Sequence, residues 1–426
     1  MPSVCLVSSR HLSYNPRLYK EARALCDAGL SVRAVTPNLD AEKAAYDDEL
    51  METESWPLHR IAVQRQGKGR RRWMLDALRQ RLLRTLTVLQ HLPYGIERAY
   101  SRHVDGLYRA AAAQPADLYI AHNLQALPAA AWAADRHNAR LGFDAEDFHR
   151  GEFPHGRLDD PVRRLTVAIE ETYIPRCNHL TAASPGIADA YANALNCCRP
   201  VVVLNVFPKV ERSGSTPSGA LTREAPDDAY SLYWYSQTIG PNRGLEHVVR
   251  ALGVLAAENE SQEMILSLRG SWAEGFEARL RAIASASGVE GCLRHLPLAP
   301  PDQLIERAAQ HDVGLALEQP VSRNREICVT NKLFAYLLAG LPVAATRTPG
   351  QEAVCRELPD ATRLCETDDP CSIANAIQSL LRTPQAAQTA KNAAWKAGEE
   401  RYNWDVEQER LVEAILQTLD APPAHT

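Results

Sequence analysis

No C-x-x-C pair occurs among the ten cysteines of this 426-residue chain (Cys5, Cys26, Cys177, Cys197, Cys198, Cys292, Cys328, Cys355, Cys365 and Cys371). That scatter supports neither a zinc site nor a dithiol redox motif, and reads as buried, reduced thiols in a cytosolic protein. Basic residues are not in excess either. Against 52 Asp and Glu stand 47 Lys and Arg, a net charge of −5, whereas a nucleic-acid binder is normally basic, so no nucleic-acid partner is expected. No apolar run approaches the roughly 18 residues needed to span a bilayer. The opening MPSVCLVSS has no basic region ahead of its short apolar run, so a first strand is expected there rather than a signal peptide, and the expected location is cytoplasmic. No G-x-G-x-x-G follows that strand, which disfavours a dinucleotide-dependent oxidoreductase. No two carboxylates present themselves as a glycosidase pair.

What the chain does have is length and alternation. It is too long for one core and suits two domains of roughly 200 residues each. SVCLVSS, SVRAVTP, DLYIAHN, LGFDAED, HLTAAS and VVVLNVFP read as strands, with helical spacing between them, as over Leu18–Ala28 and Leu124–Asp135. A stretch rich in Pro, Gly and Ser follows, and the pattern restarts with YSLYWYS, MILSLRG, CLRHLPL, DVGLAL, LPVAAT and TRLCET. Alternation of this kind implies βα units and parallel sheets. The expected architecture is therefore α/β: a first Rossmann-like domain over 1–207, a linker over 208–229, a second Rossmann-like domain over 230–400, and a C-terminal helix and tail over 401–426. Two such domains are expected to face each other across a cleft, the usual place for a small-molecule site.

The richest stretch runs from Ala308 to Gly350, AAQHDVGLALEQPVSRNREICVTNKLFAYLLAGLPVAATRTPG. It reads as a strand, a polar loop, a helix from about Asn331 to Ala339, a stop at Gly340, and a second buried strand. This order puts a helix N-terminus beside the carboxyl edge of a parallel sheet. Free backbone N–H groups and the helix dipole there favour a phosphate, and Lys332 in the first turn adds a point charge. Asn331 alternatively serves as a plain N-cap.

Several stretches together resemble the retaining GT-B glycosyltransferases of the large family 4. DVGLAL…TNKLFAYLLAGLPVAAT is similar to that family's donor-nucleotide segment. YSQTIGPNRGLEHVVRAL, over Tyr235–Leu252, is similar to the strand, glycine-rich turn and helix that open its nucleotide domain. RLYKEARALCDAGLSVRAVTP, over Arg17–Pro37, resembles its first helix and second strand. ADLYIAHNLQALPAAAWAA and LGFDAEDFH resemble its D-x-x-x-x-H-(D/N) and D-x-H-E segments. The match touches nearly the whole chain. It implies sugar transfer from a nucleotide-sugar donor of the UDP or GDP type, with retention of configuration and without a bound metal or other cofactor, to a glycan or lipid-linked acceptor, as in polysaccharide or glycolipid biosynthesis. It also implies a final helix that crosses back to the first domain, with Trp404, Leu411, Ile415 and Leu419 on one face; a helix that simply finishes the second domain is the alternative.

By that resemblance Arg243 and Gly244 in PNRGLE, with Thr330, Asn331 and Lys332, would hold the donor diphosphate, and Gly270 at the end of MILSLRG belongs to the same set. His122 and Asp144 are the catalytic candidates, with His122 near the donor sugar. Asn15, Arg17 and Glu146 are placed on the acceptor side. Each has a plainer reading: a structural histidine satisfied by a carbonyl, acids that cap the next helix, a surface loop. The chain also departs from the family. Ser236-Gln237 replaces Gly-Arg, which removes a second diphosphate cation. The family's paired glutamates correspond to Ile327 and Ala335; Glu326 or Glu318 substitutes for the earlier one, and nothing replaces the later one on the donor ribose. A catalytically weak relative that binds nucleotide or glycan as a partner subunit is therefore the alternative function.

One insertion stands apart. From His59 to Arg84 the chain carries Arg60, Arg65, Lys68, Arg70, Arg71, Arg72, Arg79, Arg81 and Arg84 against only Asp76. A helix is expected from Trp73, with Leu75, Leu78, Leu82, Leu86 and Leu89 along one face. Over 59–89 this is either peripheral contact with an anionic membrane at its inner face, or a domain helix whose apolar stripe packs inward while its arginines are solvated.

Overall fold

The computed structural model describes residues 1–64, 69–90 (side chains to 86), 95–157, 159–212, 229–258 and 263–421. Most of the expected linker, Arg65 and Lys68 of the basic insertion, and the Leu89 side chain lie outside the described residues. The chain divides into two compact units, Met1–Val203 with Gln408–Thr426, and Leu204–Glu407.

The first unit holds strands β1 (Ser3–Ser8), β2 (Ser31–Asn38), β3 (Leu58–Ala62), β4 (Leu118–His122), β5 (Arg140–Ala145), β6 (His179–Ala182) and β7 (Val201–Val202). They form one parallel sheet in the order β3-β2-β1-β4-β5-β6-β7. Its central strands are buried nearly end to end: all of LYIAH in β4, and all but Ser3 of SVCLVS in β1. A parallel sheet covered by helices on both faces wants such continuous apolar runs. Strand β3, LHRIA, was not expected. It is an edge strand with charged and half-exposed positions, so it shows no apolar run.

The second unit holds β8 (Ala229–Ile239), β9 (Glu263–Trp272), β10 (Leu293–Leu296), β11 (Val313–Ala316), β12 (Val343–Thr346) and β13 (Thr362–Cys365), again all parallel, in the order β10-β9-β8-β11-β12-β13. Leu232, Trp234, Leu266 and Leu315 of the sheet pack with Leu245, Val248, Ile373 and Ile377 of the covering helices. The register of β8 against β9 slips between Tyr235 and Thr238, so Ser236-Gln237 forms a bulge. Gly270 lies opposite, at φ 147, and a Cβ there would stand 2.2 Å from the Ser236 carbonyl oxygen. Only glycine tolerates that approach.

The helix Asn331–Ala339 has the bounds expected from its apolar spacing, and Gly340 ends it in the left-handed conformation at φ 73. The final helix, Trp404–Asp420, starts in the second unit and from Gln408 onward belongs to the first. There Thr418 Oγ1 lies 3.5 Å from His179 Nδ1, and Arg410 Nη1 donates to the Val202 carbonyl. Trp404, Leu411 and Ile415 are buried and Leu419 is half-buried. Among the described residues no helix is long and apolar enough to cross a membrane.

Candidate functional site

In the second unit the strand order reverses at β8 and β11: the chain leaves β8 toward β9 on one side and returns through β11 on the other. Loops at the carboxyl ends of two such strands diverge and leave room for a ligand. Arg243 lies in the turn after β8, followed by Gly244 and the helix Leu245–Glu258. Glu318 lies two residues beyond β11. The short helix Arg323–Ile327, capped by Ser322, and the helix Asn331–Ala339 follow it.

Glu318 organises this corner. The residue is buried at 5% exposure, with Lys332 Nζ 3.3 Å from Oε1 and Arg325 Nη1 donating to Oε2. Burial alone would raise its pKa, but the charges of Lys332, Arg325 and Arg243 outweigh burial and hold it down to about 2. Lys332 also sits over the Trp234 ring, 5.6 Å from its centroid. Arg243 is half-buried; burial, and then the like charge of Arg325, push its pKa below the usual range. Three cations and one carboxylate thus share one end of the sheet, with positive charge in excess.

The helix start beside them carries no side-chain cap. Thr330, not Asn331, is the N-cap residue, and its side chain bonds none of the first-turn amides. Asn331 is exposed at the first helical position and Lys332 follows it inward. Uncapped amides at a helix start favour an anion. Glu326 bonds Arg323 at 2.8 Å, while Ile327 and Ala335 are buried with no carboxylate at either position. Gly270 belongs to the bulge described above. Arg325 was not singled out from the sequence, because it falls at no motif offset; only the fold brings it to Glu318.

In the first unit the strand order reverses between β1 and β4. Asn15 follows β1 as the N-cap of the helix Pro16–Asp27: its Oδ1 accepts from the Leu18 amide, and Pro16 suits the first helical position. Arg17, the second residue of that helix, is buried and forks onto Asp144, with Nε 2.8 Å from Oδ2 and Nη2 2.6 Å from Oδ1, and Nη1 donates to the Val203 carbonyl. Thr181 donates to Asp144 Oδ1 at 2.7 Å. His122, at the end of β4, stands between two acids, with Nδ1 3.4 Å from Asp144 and Nε2 3.1 Å from Glu21. Burial would raise the Asp144 pKa, but Arg17 and then His122 drive it far below the ordinary value. Glu146 is half-buried, and burial with Asp147 and Asp144 nearby pushes its pKa up. Arg17, His122, Asp144 and Glu21 are thus one buried ionic cluster; Asn15 caps the helix beside it.

The cluster has a pH signature. Burial lowers the His122 pKa, yet Glu21 and Asp144 outweigh it and raise it above the ordinary value. A raised folded value means stability that is fully present below the unfolded pKa of about 6.5 and lost as pH rises through the folded one. The stability gap between the wild type and His122→Gln is therefore expected to be widest below that pH and to narrow above it. Urea midpoints measured across the window check this; a gap independent of pH means that folding leaves the ring's pKa unshifted, and a gap that widens as pH rises means that the ring is held neutral in the fold.

No protein-family model matches the chain, and no curated protein sequence matches it. Solved structures do. HepE from Anabaena in complex with UDP shares a TM-score of 0.67 at 14% identity, over 98% of this chain and 100% of that one. Sucrose-phosphate synthase from Thermosynechococcus elongatus has a TM-score of 0.71 at 13% identity, over 99% and 100%. A UDP-forming alpha,alpha-trehalose-phosphate synthase from Burkholderia vietnamiensis has 0.64 at 14%, over 97% and 100%. At these identities what is shared is the fold, two parallel-sheet α/β domains of the GT-B class.

Proposed function

We propose that this chain is a glycosyltransferase that takes a sugar from a nucleotide-sugar donor and passes it to a glycan or lipid-linked acceptor with retention of configuration. The observation that carries the reading is the convergence of Arg243, Arg325 and Lys332 beside an uncapped helix start at the β8/β11 reversal. A diphosphate leaving group gathers negative charge as the bond to the sugar breaks, and preformed cations and amides lower that barrier. Arg325 then supplies the second cation that Ser236-Gln237 lacks, and the reading calls on no metal. The HepE structure with UDP belongs to the same fold class and supports a UDP-type donor. In this scheme the bond from the anomeric carbon to the diphosphate breaks on the face where the acceptor oxygen bonds. The acceptor proton passes to the leaving phosphate oxygen. His122 and Asp144 act as one unit with Arg17, and Asn15 and Glu146 lie on the acceptor side.

Calorimetry or thermal shift with UDP, GDP and their sugars tests this. One of them is expected to stabilise the protein. Arg243→Ala, Arg325→Ala and Lys332→Ala are each expected to weaken that ligand at least tenfold, as charge-assisted contacts are worth about 1.5–3 kcal/mol. Indifference to every nucleotide rules the reading out.

A second reading is a nucleotide-binding partner subunit without turnover. The buried Ala335 favours it, since a methyl group stands where the ribose-binding carboxylate of the resembling family belongs. Tight nucleotide binding with no sugar transferred to any acceptor supports this alternative.

A further inference from the structure

The helix Arg70–Gln90 in the first unit is built inside out. Amphipathic helices of globular domains ordinarily turn their apolar stripe toward the core. Here the polar side faces the protein. Gln80 is buried and donates to the carbonyls of Ala99 and Tyr100, and Arg84 donates to Ala99 at 2.8 Å. Arg79 pairs with Asp105, and Asp76, the one acid of the helix, lies 3.5 Å from Arg79 and from His103. Trp73 is covered by the Arg102 guanidinium. The outward row is Met74, Leu75, Leu78 and Leu82, exposed by 54%, 67%, 68% and 58%. Arg70, Arg71 and Arg81 are exposed beside it. An inward-packed leucine stripe with solvated arginines, one of the two expectations from the sequence, is thus reversed at Leu75, Leu78 and Leu82, while Leu86 of the same expected stripe is half-buried.

Two features identify the occupant. The row is one side chain wide and about 12 Å long from Met74 to Leu82. Four such side chains fall well short of the ~800 Å² per partner that a stable protein interface buries. They do suit the acyl boundary of a bilayer, which an in-plane helix enters by about 5–10 Å. The exposed charges along the row are all positive, in a chain whose net charge is −5, so the local charge complements anionic headgroups where the whole molecule does not.

We propose that this face docks on an anionic lipid bilayer, with Met74, Leu75, Leu78 and Leu82 entering the acyl boundary and Arg70, Arg71 and Arg81 meeting lipid phosphates. The proposal rests on this helix and is independent of the donor site.

Co-sedimentation of the full chain with phosphatidylcholine vesicles, and with vesicles in which a third of the lipid is phosphatidylglycerol, tests it. The wild type is expected to partition onto the anionic vesicles and to be released by salt. The double variants Leu75→Asp/Leu78→Asp and Arg71→Glu/Arg81→Glu are each expected to partition at least tenfold more weakly, with circular dichroism and urea midpoints unchanged. Wild type that stays in the supernatant overturns the proposal, as does an aspartate variant that binds as well as the wild type. Equal binding to neutral and anionic vesicles overturns it too. So does lipid-free self-association that the aspartate variant abolishes, which would make a second copy of the chain the occupant.

Discussion

Glu318→Gln is expected to cost about 3 kcal/mol of stability at neutral pH and to raise affinity for a nucleoside diphosphate tenfold or more. The first part follows from linkage. The carboxyl is held at about 2 against an ordinary value of 4.5, and each unit is worth about 1.4 kcal/mol. Because the folded value is depressed, the contribution is in place above the unfolded pKa and is lost as pH falls toward the folded one. The stability gap should therefore close in acid, between about pH 4.5 and about pH 2. The second part follows from charge. In the free protein Lys332 and Arg325 are engaged by Glu318, and an arriving diphosphate must compete with that carboxylate. A neutral amide removes the competitor and leaves the cations. Urea titrations and calorimetry with UDP read the two effects separately. A variant as stable as the wild type and no better at binding would mean that the carboxylate does not govern these cations.

Asp144→Asn is expected to cost about 3–5 kcal/mol in the first unit, since it leaves the buried Arg17 guanidinium without its counter-ion. The same direction holds for Arg17→Met, which leaves Asp144 with only His122 and Thr181 to meet its charge. Replacing both should cost much less than the sum, because no buried charge then remains unpaired, and the double-mutant cycle should give a large coupling. The loss should appear in one transition of a two-unit unfolding curve rather than in both. The pH dependence matches that of other depressed carboxylates: burial opposes ionisation, Arg17 overcomes it, and the stabilisation is lost only as pH falls through a very low folded value. Additive single losses would mean that the fork contributes little.

How much of this could be read beforehand depended on what each feature requires. The helix Asn331–Ala339 and its stop at Gly340 were legible because apolar spacing and a left-handed glycine are local signals. So were the buried strands, whose apolar runs follow from burial on both faces. Strand β3 was missed because an edge strand with Arg60 and His59 carries no such run. Arg325 was missed because its meeting with Glu318 needs the turn of the Ser322 cap, and no spacing rule encodes that. The leucine row of Arg70–Gln90 was visible as a row. Its direction was not, since periodicity defines a face without saying which side of it is protein. Likewise His122 and Asp144 could be placed at strand ends, but not the buried guanidinium that joins them to the helix Pro16–Asp27.

The division of the final helix bears on the order of events during synthesis. Residues 408–421 lie in the first unit, yet they are translated after all of the second. A nascent chain therefore emerges from the ribosome with its seven-stranded sheet complete and one flank bare, and the intervening unit is made while that flank waits. The part translated first is the part finished last, so a chain stalled before Gln408 would present that uncovered flank to chaperones and proteases.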